Sequence, residues 1–350
     1  MEPETWNRIT KALEAYNILD ITPNVVTPLN SLANQVWKIE SKYVLRNYLK
    51  MTEEGVCQLQ NILLYLQRKG IPIPLTMLNS TNKLVTCIDD RVFDLSMYIP
   101  HSPMKYPQMN IRQDQIVASA RILSQVHLVP IDELPSNISH KEDELVPEIV
   151  VEKIGEFESK FGEINDLATP WEKQKLNLLL DIIKATSQAR QSLIQRGGWK
   201  HFAELPQCLT HGDFSLTNLL PSNIDNKLYI IDWENMGIRP RIWELHRALL
   251  LICGRGKSNA NFDELNFRRA KVFFQEYVDR INLVPDEIEN IPFVAEYISS
   301  LHWLRFTLDS ILRKDFRILT RIPDNVDQGL WWQKNLETYK QWIKTIFCPS

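Results

Sequence analysis

The period of apolar and polar positions changes several times along the chain, and each change marks an element. Alternation over Val25–Leu29, Gln35–Glu40 and Tyr43–Tyr48 predicts three strands, the last two joined by a tight turn at Ser41-Lys42. Ahead of them Thr5–Tyr16 has the spacing of a short amphipathic helix. Within Glu53–Lys69, Val56, Leu59, Leu63 and Leu66 form an apolar stripe at helical spacing, and Gly70 stops that helix. Leu84–Ile88 and Val92–Ile99 read as a second hairpin around Asp89-Asp90-Arg91. Helical periodicity then dominates, over Asn110–Leu128, Val150–Phe161, Trp171–Arg196, Trp243–Cys253, Phe262–Arg280, Ile291–Arg313 and Asn335–Phe347. An acidic, proline-containing loop is expected over Pro130–Pro147 and a turn over Gly237–Pro240. The expected class is α+β, with a small antiparallel sheet first and a larger, mainly helical part after it.

One stretch breaks the helical pattern. Cys208–Glu234 reads CLTHGDFSLTNLLPSNIDNKLYIIDWE. The apolar pair Leu219-Leu220 and the run Leu228–Ile231 flank PSNIDNK, a cluster of turn formers, and predict a hairpin turning near Asp225. That register places Asn218 opposite Asp232, at the roughly 5 Å Cβ separation of cross-strand pairs. An amide oxygen and a carboxylate so placed suit Mg²⁺, which takes few protein ligands and keeps other positions for water and phosphate. Asp213, in the loop just before the hairpin, is positioned by sequence to orient a hydroxyl and accept its proton. Phosphoryl transfer asks this of a protein, because the work is mainly positioning and charge neutralisation.

Composition narrows the class of partner. The 350 residues are 44% hydrophobic and 24% charged, with a net charge of −3, so no general attraction to nucleic acid or to an anionic membrane is expected. The longest unbroken apolar run, Ala248–Cys253, falls far short of the roughly 20 residues of a spanning helix. The first residues, MEPETWNRIT, carry no signal-peptide core, and five scattered cysteines show no metal-ligand spacing. A reduced, cytoplasmic chain is the expectation.

HGDFSLTN followed by IIDWE closely resembles the signature of the aminoglycoside phosphotransferase and choline kinase-like enzymes, small-molecule relatives of the protein kinases. The resemblance implies a two-lobed protein-kinase-like fold, with a nucleotide lobe over residues 1–100 and a catalytic, acceptor-binding lobe over 101–350. It makes Asp213 the catalytic base, Asn218 and Asp232 the magnesium ligands, and His211 a structural member of the loop. ATP and Mg²⁺ are the implied cofactors. The implied partner is a small hydroxylated acceptor such as an amino sugar, an amino alcohol or a choline- or homoserine-like compound.

The same resemblance assigns the nucleotide site. Pro28–Asn34 falls where a phosphate-covering loop would lie and ends, as in the family, on Asn34, but holds no glycine. Arg46 stands where the family keeps a phosphate-binding cation, often Lys. Leu95–Pro100 resembles the interlobe linker, where main-chain groups of Met97 and Ile99 would bond adenine. Relatives place a Glu on the following helix to brace the cation, and here the aligned position is Leu59, between Gln58 and Gln60. His127 and Glu244 are expected in structural roles, and Trp303, Arg305 and Asp309 in packing or surface ion pairs. Ser215 replaces the Lys that protein kinases carry two residues after the base, which points to small acceptors. The alternative is a nucleotide-binding pseudokinase or structural protein without turnover; a third reading is a binder of a cationic small molecule.

Overall fold

The structure is a computed structural model that describes residues 2–29, 31, 34–102, 111–135, 138–141, 147–195, 202, 204–256, 262–298 and 302–347. Asn110, parts of Pro28–Asn34 and Pro130–Pro147, Arg196, Gly197-Gly198 and residues 299–301 therefore lie outside the described residues. The chain forms two compact units. Unit 1 comprises Met1–Pro103, Val129–Ile138 and Thr217–Asn235; unit 2 comprises Met104–Leu128, Ser139–Leu216 and Met236–Ser350.

Unit 1 is built on a five-stranded antiparallel sheet. Its strands are β1 (Val26–Leu29), β2 (Gln35–Ile39), β3 (Tyr43–Tyr48), β4 (Val85–Ile88) and β5 (Arg91–Met97), in the order β1-β2-β3-β5-β4. The β2–β3 turn sits one residue earlier than expected, on Glu40 and Ser41, both at positive φ. Lys42 N–H closes it on the Ile39 carbonyl at 2.9 Å. Positive φ at both central residues matches the right-handed strand twist, so twist overrides the poor fit of Glu and Ser to that conformation. Asp89 and Asp90 turn the β4–β5 hairpin the same way, as residues that tolerate it.

Alternation sorts the sheet's two faces. Leu45, Phe93 and Leu95 join Trp37 and Ile39 in an apolar core with Ile9, Ala12, Leu13 and Tyr16. The last four come from α1 (Pro3–Ala15) and its C-cap; Pro3 opens the helix, where a missing N–H costs nothing. Arg46, Tyr48 and Asp94 alternate with those residues and point the other way. Toward them lies α2 (Glu53–Arg68), capped by Thr52, whose hydroxyl accepts the Gly55 N–H at 3.2 Å. Unit 1 also holds the hairpin of β7 (Leu219–Pro221) and β8 (Leu228–Ile230); β6 (Gln207–Thr210) belongs to unit 2.

Unit 2 is mostly helical. Its helices are α3 (Gln113–His127), α4 (Pro147–Leu167), α5 (Pro170–Ala185), α6 (Ser187–Gln195), α7 (Arg241–Cys253), α8 (Phe267–Val278), α9 (Pro285–Tyr297), α10 (Trp303–Leu312) and α11 (Ile322–Phe347). Several expectations are corrected here. Gly237–Pro240 is a strand, β9, paired antiparallel with β6; its Pro sits at the strand end, where a lost donor is tolerated. Phe262–Leu265 is a strand, β11, paired with β10 (Gly254–Gly256), and α8 starts only after Asn266, whose side chain accepts the Arg269 N–H at 3.2 Å. Trp171–Arg196 is divided at Thr186, between α5 and α6. The helix expected over Ile291–Arg313 opens earlier, at Pro285, with Glu287 folding back to accept the Val284 N–H at 2.9 Å, and its residues 299–301 lie outside the described residues. The final helix also opens earlier than expected, at Ile322.

α7 is buried nearly all round, through Ile242, Trp243, Leu245, Ala248, Leu249, Leu250 and Ile252, and carries Glu244 and His246 inward with them. His246 packs edge-on to Trp332 and Tyr339 and meets the Tyr339 hydroxyl at 3.3 Å. Burial pushes its imidazole down from 6.5 to about 3. The unfolded chain therefore takes up the proton first, and stability falls as pH drops below 6.5, by up to about 1.4 kcal/mol per pH unit. His246→Phe should flatten that part of the acid limb in melting temperature against pH. An unchanged slope would show that His246 does not stay neutral in the fold.

Candidate active site

The hairpin that carries Asn218 and Asp232 pairs one residue out of the expected register. Leu219 faces Ile230, Leu220 faces Tyr229 and Pro221 faces Leu228. Asn218 thus stands opposite Ile231, whose N–H donates to the Asn218 carbonyl at 3.0 Å, and the predicted Asn218–Asp232 pairing is corrected. The turn explains the slip. Ser222 N–H bonds the Lys227 carbonyl at 2.8 Å, and Asp225 folds inward to accept the Lys227 N–H, so the loop centres half a residue earlier than Asp225. Pairing stops before Asp232, which takes φ +69°. A left-handed backbone costs an L-residue about 1 kcal/mol, and such strain persists where surrounding structure holds it, often at functional positions.

Asp232 acts on Arg46. Burial works against the Arg46 charge, but Tyr48, Asp94, Asp232 and Glu234 together outweigh it and hold the guanidinium above its ordinary value. Glu234, two residues after Asp232, brings its carboxylate to 3.4 Å from Arg46 Nη1. The same Glu234 oxygen accepts from the Asn34 amide. Asn34 is buried, and its other amide end accepts the Leu49 N–H at 3.3 Å. Asn34 therefore ties the end of the loop before β2 to Glu234. Burial raises the Glu234 carboxyl, and Asp232 and Asp94 add to that, against Arg46 and Asn34. Arg46 also lies over the Tyr48 ring, 5.7 Å from its centroid. Lys38 is engaged elsewhere, over Tyr98 at 5.4 Å.

At the expected adenine position, Met97 N–H donates to the Leu75 carbonyl and Tyr98 N–H to the Lys42 carbonyl, each at 2.8 Å. The Ile99 carbonyl meets His101 Nδ1 at 2.7 Å. The fold itself thus uses the Met97 donor and the Ile99 acceptor.

Among the described residues no group of three or more His, Cys, Asp or Glu side chains could hold a metal ion. Asn218 and Asp232 offer one amide oxygen and one carboxylate. Two hard oxygen donors are the sparse protein contribution that Mg²⁺ takes beside phosphate, so the donor set fits it.

Asp213 belongs to unit 2, on a loop held from below. Glu244 of α7 accepts the His211 N–H at 2.8 Å and the Gly212 N–H at 2.5 Å. Gly212 has φ +84°, the left-handed region that glycine enters freely, and this lets two successive N–H groups reach one carboxylate. His127 Nε2 donates to Glu244 at 3.1 Å, and its Nδ1 pairs with the Tyr277 hydroxyl at 2.7 Å. Burial alone would raise the Glu244 carboxyl, but His127, His211 and the Gly212 N–H hold it below the ordinary value. Both residues expected to be structural make loop-supporting contacts. Asp213 N–H donates to His211 Nδ1 at 3.2 Å, and its carboxylate lies 3.5 Å from Arg247 Nη2. Arg247 stacks on Trp243, 4.9 Å from the ring centroid, and donates to His302 Nε2 at 2.9 Å. Asp309 pairs with Lys153.

Sequence reasoning passed over Glu234, Asp94, Gln60 and Arg247. Two of them left a signal. Asp94 is a lone acid inside the apolar run Val92–Met97, and Arg247 follows Glu244 by one helical turn.

A family model described as Phosphotransferase enzyme family, APH, matches residues 25–276. A search of curated proteins finds no match. Among solved structures, the chain is similar to spectinomycin phosphotransferase APH(9)-Ia in complex with ADP and spectinomycin, with TM-score 0.64 and 16% identity over 98% of this chain and 97% of that one. It is also similar to a choline/ethanolamine kinase family protein from Mesorhizobium loti, with TM-score 0.60 and 13% identity over 98% and 99%. A microcompartment-associated aminopropanol kinase gives TM-score 0.60 and 13% identity over 96% and 98%. These likenesses establish a protein-kinase-like fold, with the small antiparallel sheet and helical part expected of it. With a match that spans most of its length, the chain belongs to the phosphotransferase enzyme family.

Proposed function

We propose that this chain transfers the γ-phosphoryl group of ATP to a hydroxyl of a small molecule. The observation that carries the reading is Arg46, fixed in unit 1 by a carboxylate two residues from the strained Asp232. Arg46 would bind phosphate oxygens, a task its planar fork suits. Asn218 and Asp232 would hold Mg²⁺, which when bound neutralises phosphate charge. In unit 2, Asp213 would orient the acceptor hydroxyl and take its proton. The acceptor oxygen bonds the γ-phosphorus, the bond to the bridging oxygen breaks, and ADP leaves. Arg247 would hold the Asp213 carboxylate in place. Asn34 would act through Glu234, and adenine would meet main-chain groups near Met97 and Ile99.

The similar structures include enzymes named for spectinomycin, aminopropanol and ethanolamine. They support an acceptor with a hydroxyl near an amino group. No described helix is long and apolar enough to cross a membrane, and Cys57, Cys87, Cys208 and Cys253 are free thiols, which supports a cytoplasmic setting. The second reading, nucleotide binding without turnover, draws on α2, which buries no acid. Transfer of the γ-phosphate of ATP to members of a panel of hydroxylated amines separates the two.

A further inference from the structure

We propose that Asp94, on β5, is the positioning residue that holds Arg46 in its phosphate-binding place. The inference rests on the nucleotide reading of Arg46 given above. α2 buries Val56, Leu59, Gln60, Ile62, Leu63 and Leu66, while Glu53 and Glu54 lie in its exposed first turn. The polar group it sends inward is Gln60, only 2% exposed, and Gln60 goes to Asp94.

Asp94 is 5% exposed, on a strand paired on both sides. An ionised carboxylate in such a place costs several kcal/mol unless it is bonded and paired. Its bonds come from the Tyr48 hydroxyl, at 2.7 Å, and from the Gln60 amide, both to the same oxygen. The Gln60 carbonyl in turn accepts from the Thr76 hydroxyl at 2.9 Å. Two donors aimed at one oxygen keep it an acceptor. Its cross-strand partner in register is Arg46, and such neighbours stand roughly 5 Å apart at Cβ. Two neutral donors do not need a full charge opposite them; a guanidinium does. Burial raises the Asp94 carboxyl while Arg46, Tyr48 and Gln60 oppose that rise.

Glu234 does a different job. It lies outside the strands, two residues after Asp232, and phosphate would compete with it for the same guanidinium. Asp94 is bonded inside the unit by a strand tyrosine and a helix glutamine, so it stays when the nucleotide arrives. It also fixes the Tyr48 ring on which Arg46 rests. The counter-charge therefore comes with the sheet, and α2 braces it through Gln60.

The test is calorimetric titration of the full chain with Mg·ADP, which avoids turnover. Asp94→Asn removes the charge that stands across the strand pair from Arg46 and should weaken binding about tenfold. In an Arg46→Ala background the same change should add less than about twofold, because the two residues act as a unit. Asp94→Asn with Gln60→Glu moves the acid onto the helix at the atom that Gln60 already presents, and should restore most of the affinity. Should Asp94→Asn fail to fold, Tyr48→Phe removes one bond to Asp94 and keeps the ring, and its smaller loss should also vanish with Arg46→Ala. Equal losses with and without Arg46, or unchanged affinity in Asp94→Asn, would overturn the proposal and leave the nucleotide reading standing. No Mg·ADP binding by the unaltered chain would remove both.

Discussion

Asp213→Asn is expected to leave Mg·ATP affinity within a few-fold and to cut acceptor phosphorylation by about 10²-fold or more, the usual scale for a positioned general base. The substitution removes charge and keeps shape. The loop need not move, because its support comes from elsewhere: Glu244 holds the His211 and Gly212 N–H groups, and the Asp213 N–H rests on His211 Nδ1. The Asp213 carboxylate itself contacts Arg247, which Trp243 and His302 hold independently. The lost function is then confined to the carboxylate. Calorimetry for the nucleotide and a transfer assay for the acceptor separate the two effects. If nucleotide binding fell as far as turnover, Asp213 would be a residue of the fold or of the metal site. Full turnover would deny it the role of base.

Asp232→Asn should fail in the opposite way, through the nucleotide. Asn accepts left-handed backbone as readily as Asp, so the +69° conformation survives and the charge alone goes. Two losses follow. The anionic oxygen donor at the metal position becomes a neutral amide oxygen, and Arg46 loses one of the acids that hold it above its ordinary value. Thermal stabilisation of the unaltered chain by ATP should depend strongly on Mg²⁺ and be reduced by chelator. At a hundredfold excess over Kd it should reach about 2.7 kcal/mol. In Asp232→Asn most of the Mg²⁺-dependent part should disappear, and chelator should make little further difference. A variant that kept the full Mg²⁺ dependence would place the metal on other residues.

Local signals carried much of the fold. Alternation over Tyr43–Tyr48 predicts β3, and in it Arg46 and Tyr48 share the face opposite Leu45 and Leu95. Gly70 and the apolar stripe from Val56 to Leu66 were enough to place α2, and Thr52 shows itself as its cap only in the structure. Where strands run three or four residues, pattern could not decide. β7 and β8 bury too few side chains to set their register, so the Ser222–Lys227 closure sets it, one residue from the expected place. β9 reads as a turn because its Gly and Pro are turn formers; its partner β6 lies some thirty residues earlier and leaves no local trace. The site divides in the same way. Asp213, Asn218 and Asp232 sit in one stretch and announce themselves together. The partners of Arg46 do not: Glu234 is 188 residues away in the chain and reaches Arg46 only through the fold. Asp94 and Gln60 each look out of place in their own element, and only the sheet register explains both.

The most direct test of the account is transfer of phosphate from γ-labelled ATP by the full chain, with Mg²⁺, to a panel of hydroxylated amines, amino sugars and hydroxy amino acids. The account predicts a labelled acceptor whose formation tracks ADP release, requires Mg²⁺ and is lost in Asp213→Asn. A chain that binds Mg·ATP yet labels no acceptor across that panel, and releases no ADP above the level of Asp213→Asn, would contradict it and leave a nucleotide-binding protein without turnover.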